Sequence, residues 1–201
     1  MRNLLEANKK IPIGGNALVV CILFALFFSV LVLKISDDKH LSLDGVNYFF
    51  MVLEAQEFSK VAWSRQFAEF INQWLLVLPV RWGETNIPVL TKLFGISIAL
   101  PYFLSFLLCY WARRGEDKSD LFFPLLSLAS ISAIGDYDLA CEHHVMMNVA
   151  WPIYFLLTSR GKLLWRNGLV LCSLLFVFLR LYETAILPAG LFFLICVLHY
   201  S

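Results

Sequence analysis

The sequence predicts an all-α fold: a polytopic transmembrane helical bundle of about six spans, with two interfacial amphipathic helices in its first external loop. Three observations predict it. Of 201 residues, 60% are apolar and only 15% charged, against roughly 45–50% and about 25% in soluble chains. Apolar runs of bilayer-crossing or nearly bilayer-crossing length recur along the chain. Lys and Arg gather in alternate connecting segments. The same composition excludes a disordered chain. Sixteen basic residues nearly cancel 15 acidic ones, which excludes a nucleic-acid binder. Five cysteines with no CxxC spacing argue against a zinc knuckle or a redox pair, and four of them sit in apolar runs as small hydrophobes.

A bilayer core of about 30 Å needs roughly 20 apolar helical residues. The first span is Ala17 to Leu33, uncharged and preceded by Arg2, Lys9 and Lys10. No A-x-A cleavage pattern follows it, so it reads as an anchor rather than a secretory signal. In the segment from Lys34 to Thr85, a run from Val46 to about Val61 sets Glu54, Glu57 and Lys60 against Phe49, Phe50 and Leu53. A stronger periodicity follows: Phe67, Phe70, Ile71, Trp74, Leu75 and Leu78 on one stripe, with Arg65, Gln66, Glu69, Asn72 and Gln73 on the other. Both read as helices lying in the membrane interface. Ile87 to Trp111 is the second span, followed by Leu121 to Ile134, Val145 to Thr158, Gly168 to Leu179 and Ala185 to Tyr200.

Charge placement sets the orientation, because cytoplasmic loops collect Lys and Arg. Segments 1–12, 112–120 and 159–166 carry three basic residues each, whereas Gly135 to His144 carries three acids and no Lys or Arg. The N-terminus is therefore expected in the cytoplasm, in a plasma membrane or a bacterial inner membrane. The runs flanking Gly135–His144 are short, about 21 Å each at roughly 1.5 Å per residue. Either the helices continue into this polar stretch or the stretch dips below the membrane surface. Ionisable groups at such depth are functional candidates.

An acidic external cleft walled by interfacial helices suits a substrate with a lipid tail and a polar head. Glycosyl transfer from a lipid phosphate needs a carboxylate to take or orient the acceptor hydroxyl proton, and positive charge to steady the leaving phosphate. Asp44 or Asp138 fits the first role. Arg180, Arg65 or a metal fits the second, because a guanidinium fork matches phosphate oxygens. Arg180 and Glu183, three residues apart, also make a local helical pair. Asp136, Asp138, Glu142 and His143 form a donor set suited to a divalent cation, Mn²⁺ or Mg²⁺.

Asp44-Gly45-Val46-Asn47-Tyr48, the acidic Asp136-Tyr137-Asp138 and the order of spans and loops resemble the N-terminal membrane module of the GT-C superfamily, the integral membrane glycosyltransferases that use polyprenyl-phosphate sugars. The resemblance implies Asp44 as the catalytic carboxylate, Tyr48 beside it at the substrate, and Asp136 and Asp138 as metal ligands. It implies membrane lipids and a lipid-linked sugar as partners. Members of that superfamily have more spans, so it also implies a partial module that works with other membrane subunits. Two rival readings are a metalloenzyme or haem protein built on His143, His144, Asp136, Asp138 and Glu142, and a non-catalytic membrane subunit or a lipid or solute transporter. Adjacent histidines point about 100° apart on a helix, which weakens the first. No inverted repeat relates the two halves, which weakens the transporter reading.

Overall fold

A computed structural model describes residues 13–42, 44–59, 66–114, 118–134, 142–158, 165–181, 189–192 and 194. Among these residues the chain is all-α. Its elements are α1 (Ile13–Ser36), a 3₁₀ turn (Lys39–Leu41), α2 (Asp44–Ala55), α3 (Gln66–Arg81), α4 (Ile87–Ala112), a second 3₁₀ turn (Ser119–Leu121), α5 (Phe122–Ile134), α6 (Glu142–Thr158) and α7 (Trp165–Leu179). Each of the first five apolar runs read from the sequence falls on one of these helices. Among the described residues two helices are long and apolar enough to cross a membrane: α1 over Ala17–Ser36, and α4. Large apolar side chains face outward on every long helix, among them Leu26 on α1, Phe70 on α3, Leu104 on α4, Phe123 on α5 and Phe176 on α7. Soluble monomers rarely expose so much apolar surface, and the pattern supports membrane association.

Helix α4 is the central post. Asn86 caps it, its side chain accepting from the Val89 N–H at 3.4 Å, with Pro88 in the first turn where no donor is needed. Its 26 residues give a length of about 39 Å. Helix α3 folds back along it as an antiparallel hairpin after the turn at Trp82 and Gly83, where Gly83 has φ of +85°. Two observations fix the register. Ser97 Oγ donates to the Ile71 carbonyl at 3.2 Å. Leu76, Val77 and Val80 share a core with Leu90, Phe94 and Ile98, which Tyr48, Phe49 and Val52 of α2 complete.

That packing changes the reading of α3. Its stripes are where periodicity puts them, but Glu69, Asn72 and Gln73 are buried against the protein while Phe70 and Leu78 are exposed. The helix runs along α4 instead of lying flat with its polar side to water. Gln73 Oε1 accepts from the Ser59 N–H at 2.9 Å, and its amide donates to Ser59 Oγ at 2.6 Å. Helix α2 matches its expected apolar stripe at Phe49 and Leu53 but stops at Ala55, short of Val61, where Gln56 turns left-handed at φ of 54°.

The end of α1 is clamped to the start of α4. Asp38 breaks the helix in the left-handed region, which an Asx side chain tolerates. Lys92 then reaches across from α4 to the Ile35 and Ser36 carbonyls at 3.1 and 3.0 Å and to Asp38 Oδ1 at 2.7 Å. A cation on the last carbonyls of a helix opposes their partial negative charge. Beneath it His40 is 1% exposed and donates from Nε2 to the Thr91 carbonyl at 2.9 Å, while Nδ1 meets no partner. At the other end, Arg113 bonds Thr158 Oγ1 at 3.3 Å and Asp120 at 3.3 Å, with its guanidinium over the Phe155 ring. Lys118 donates to the Arg113 and Tyr110 carbonyls. Two of the three basic residues in that connection thus fasten helix ends to one another.

Burial lowers the His40 pKa; the Thr91 bond and Asp38 oppose this and Lys92 adds to it, with burial the largest influence. Protonation at Nδ1 would leave a buried N–H unpaired. A base whose folded pKa lies below its unfolded value, about 6.5, contributes stability that is complete above that value and is lost as pH falls toward the folded pKa. The unfolding midpoint in micelles is therefore expected to drop between pH 7.5 and 5, and His40→Asn to flatten that drop. Equal pH slopes in the two proteins would remove His40 as the cause.

Candidate functional site

Two polar regions lie at different levels of the bundle. The outer one is on α2. Asp44 opens the helix and is exposed, and Tyr48, one turn on, is buried at 8% exposure. With Asn47, Met51 and Glu54 they line an open depression of about 490 Å³. Its chemistry is a carboxylate pair on one helical face, Asp44 and Glu54, with a phenol ring and an amide between them.

The deeper region lies halfway down α4. Tyr102, about 22 Å along the helix from Ile87 at roughly 1.5 Å per residue, is buried, and its Oη is hydrogen-bonded to His144 Nδ1 at 2.7 Å. His144 stands at the start of α6, so that helix begins level with the middle of α4. Helix α3 begins at the same level by its register with α4. Ala68 near its start packs in one cluster with Val145 of α6 and with Phe178 and Leu181 at the end of α7. Three helix ends therefore meet at mid-height beside α4. Helix α6 takes in Glu142, His143 and His144, so at this end the helix continues into the polar stretch, whose residues 135–141 lie outside the described residues.

Arg180 belongs to this deeper level. It is exposed, its N–H donates to the Val177 carbonyl, and the next residue, Leu181, is buried in the cluster with Ala68 and Val145. The structure brings Asp44 and Tyr48 together in one depression, and Arg180 is not among the residues that line it. Glu142 and His143 form the first turn of α6, with only their backbone described. Arg65, Asp136, Asp138 and Glu183 lie outside the described residues. Among the described residues no three His, Cys, Asp or Glu side chains gather to hold a metal ion.

Several polar residues matter more here than their sequence setting indicates. His144 bonds Tyr102 inside the bundle, although the sequence draws attention to it chiefly as half of a His-His pair. Glu69, on the polar stripe of α3, is buried at 3% exposure. The available signal was environmental: in lipid the apolar stripe of a helix faces outward and its polar stripe faces protein. Asn148, one turn after His144 on α6, is buried as well, and it lies in an apolar stretch with nothing in the sequence to mark it.

No protein-family model, curated protein or solved structure matches this chain.

Proposed function

We propose that the chain is a multi-pass membrane glycosyltransferase module that uses a lipid-phosphate-linked sugar at the extracytoplasmic face. In this reading about six helices span the bilayer, with the N-terminus in the cytoplasm. The observation that carries the proposal is the position of Asp44: an exposed carboxylate at the head of α2, directly after the first candidate span, over an open depression shared with Tyr48 and Glu54. An acceptor hydroxyl held there meets an exposed carboxylate placed to take its proton.

The mid-height meeting of helix ends offers an anion site at another level from the Asp44 depression, so it bears on holding the donor and not on the transfer step itself. The starts of α3 and α6 bring the positive ends of their dipoles to one level, a setting that favours an anion. Arg180 at the end of α7 adds a guanidinium at that level, suited to a phosphate. A divalent cation held by Asp136, Asp138 and the start of α6 would act on the same phosphate.

The test compares glycolipid and envelope-glycan profiles, by mass spectrometry, of cells making the chain and cells making Asp44→Asn. A glycosylated species present in the first and absent from the second carries the proposal. Identical profiles, with both proteins inserted in the membrane, sink it. They would leave the alternative, a non-catalytic membrane subunit or transporter, for which the exposed apolar faces of α1 and α7 supply contact surface.

A further inference from the structure

A cavity of about 460 Å³ lies between α3, α4, α6 and α7, separate from the α2 depression. Its walls are apolar, including Phe70 and Trp74 of α3, Leu104 and Leu108 of α4, and Leu174 and Val177 of α7. Four features break that pattern and all concern hydrogen bonds. Asn148 of α6 lines the cavity, is 2% exposed, and neither Oδ1 nor Nδ2 has a partner. Pro152, also in the wall, has no N–H to give to the Asn148 carbonyl one turn back, so that main-chain acceptor lacks its usual helical donor. Across from it on α4, Ser105 Oγ meets no nitrogen or oxygen partner and shares only the weak thiol of Cys109. Pro101, again in the wall, does to the Ser97 carbonyl what Pro152 does to Asn148.

Buried polar groups in folded proteins are almost always paired, and an unpaired side-chain amide in an apolar wall points to a partner the chain itself does not supply. The partner must be mostly apolar to fill this cavity. It must both donate and accept, because Asn148 offers a donor and two acceptors and Ser105 a further donor. We infer that the cavity between α3, α4, α6 and α7 binds a long-chain alcohol: an aliphatic or isoprenoid chain along the apolar walls, with its hydroxyl accepting from Asn148 Nδ2 or Ser105 Oγ and donating to Asn148 Oδ1 or its freed carbonyl. A plain hydrocarbon fills the same volume and leaves those groups unpaired. An anionic lipid head is excluded because no cationic side chain lines the cavity.

The site stands apart from Asp44 and its test reads alcohol binding alone, so either idea can fail alone. The test uses the full chain in nanodiscs, labelled by a diazirine-bearing long-chain alcohol, with 1-hexadecanol and hexadecane as competitors at equal membrane concentration. Labelling is expected on peptides of α4 and α6, and the alcohol is expected to compete about tenfold better than the alkane, the factor that one or two net hydrogen bonds supply. Asn148→Leu is expected to shrink that difference, leaving what Ser105 and the main-chain carbonyl supply, while the alkane competes as before, and Asp44→Asn to leave it untouched. Equal competition by the two probes in the native chain, or labelling elsewhere, overturns the inference; that comparison needs no variant, so it decides even if Asn148→Leu fails to fold.

Discussion

Asp44→Asn is expected to cut glycosyl transfer by about 10²- to 10⁴-fold, the range lost with a general base, while insertion and unfolding midpoint stay near those of the native chain. The substitution keeps shape and removes only the carboxylate. The side chain is exposed, so the neutral amide costs at most the fraction of a kcal/mol, about 0.3–1, by which the helix dipole favours an acid in the first turn. The rival account of Asp44 is local: an acid in the first turn of α2, placed to favour the helix dipole. That account predicts the reverse pattern, a small fall in stability with transfer intact. Measuring both quantities in one preparation separates them. Glu54, nearly three turns on along the depression wall, makes a useful comparison: Glu54→Gln is expected to alter acceptor affinity with much less effect on turnover.

Helix positions were legible because apolar run length and periodicity are local properties, and α1, α4, α5, α6 and α7 sit on the runs that the sequence marks. The side each helix presents to its neighbours was not legible. The stripe of Glu69, Asn72 and Gln73 is plain in the sequence, but a stripe does not say whether the medium beyond the helix is water or lipid, and the inward packing of α3 along α4 inverts the usual reading. Depth was partly legible. The short runs flanking the segment from Gly135 to His144 allow the helices to continue into it, as α6 does by starting at Glu142, and the Tyr102–His144 bond sets that start level with the middle of α4. Of the candidate site, Asp44 and Tyr48 share a depression as their i, i+4 spacing requires. Arg180 is set at another level because α7 ends beside α3 and α6, a tertiary fact that no local pattern encodes. The pairings of Lys92 with the end of α1 and of His40 with Thr91 span more than fifty residues. No local pattern pairs either residue with its partner, and Lys92 falls inside the apolar run from Ile87 to Trp111.

Gly95→Ala is expected to destabilise the chain by about 1–3 kcal/mol, the usual cost of overpacking, although alanine is intrinsically the better helix former by about 1 kcal/mol. The sign depends on whether the neighbours can yield. A Cβ at position 95 would lie 2.6 Å from Ile35 Cγ2 and 3.0 and 3.1 Å from the His40 ring atoms Cε1 and Nδ1. Ile35 is β-branched on a helix, so its methyl has no free rotamer to retreat into. His40 is held by its bond to the Thr91 carbonyl, and the chain segment carrying it is tied by Lys92 to the last carbonyls of α1. Relief must come from separating α1 from α4, which also loosens the Lys92 clamp. The strain is therefore expected to exceed the gain in helix propensity. Ile35→Ala removes the closest atom, so the double variant Ile35→Ala, Gly95→Ala is expected to cost less than the sum of the single changes by about 1 kcal/mol, a coupling of the size seen for residues in contact. Thermal unfolding of the four proteins in one micelle system measures it. A Gly95→Ala protein as stable as the native chain, or strictly additive costs, would mean that α1 and the His40 turn shift away from α4 without loss, and that this contact does not hold the first candidate span against the central helix.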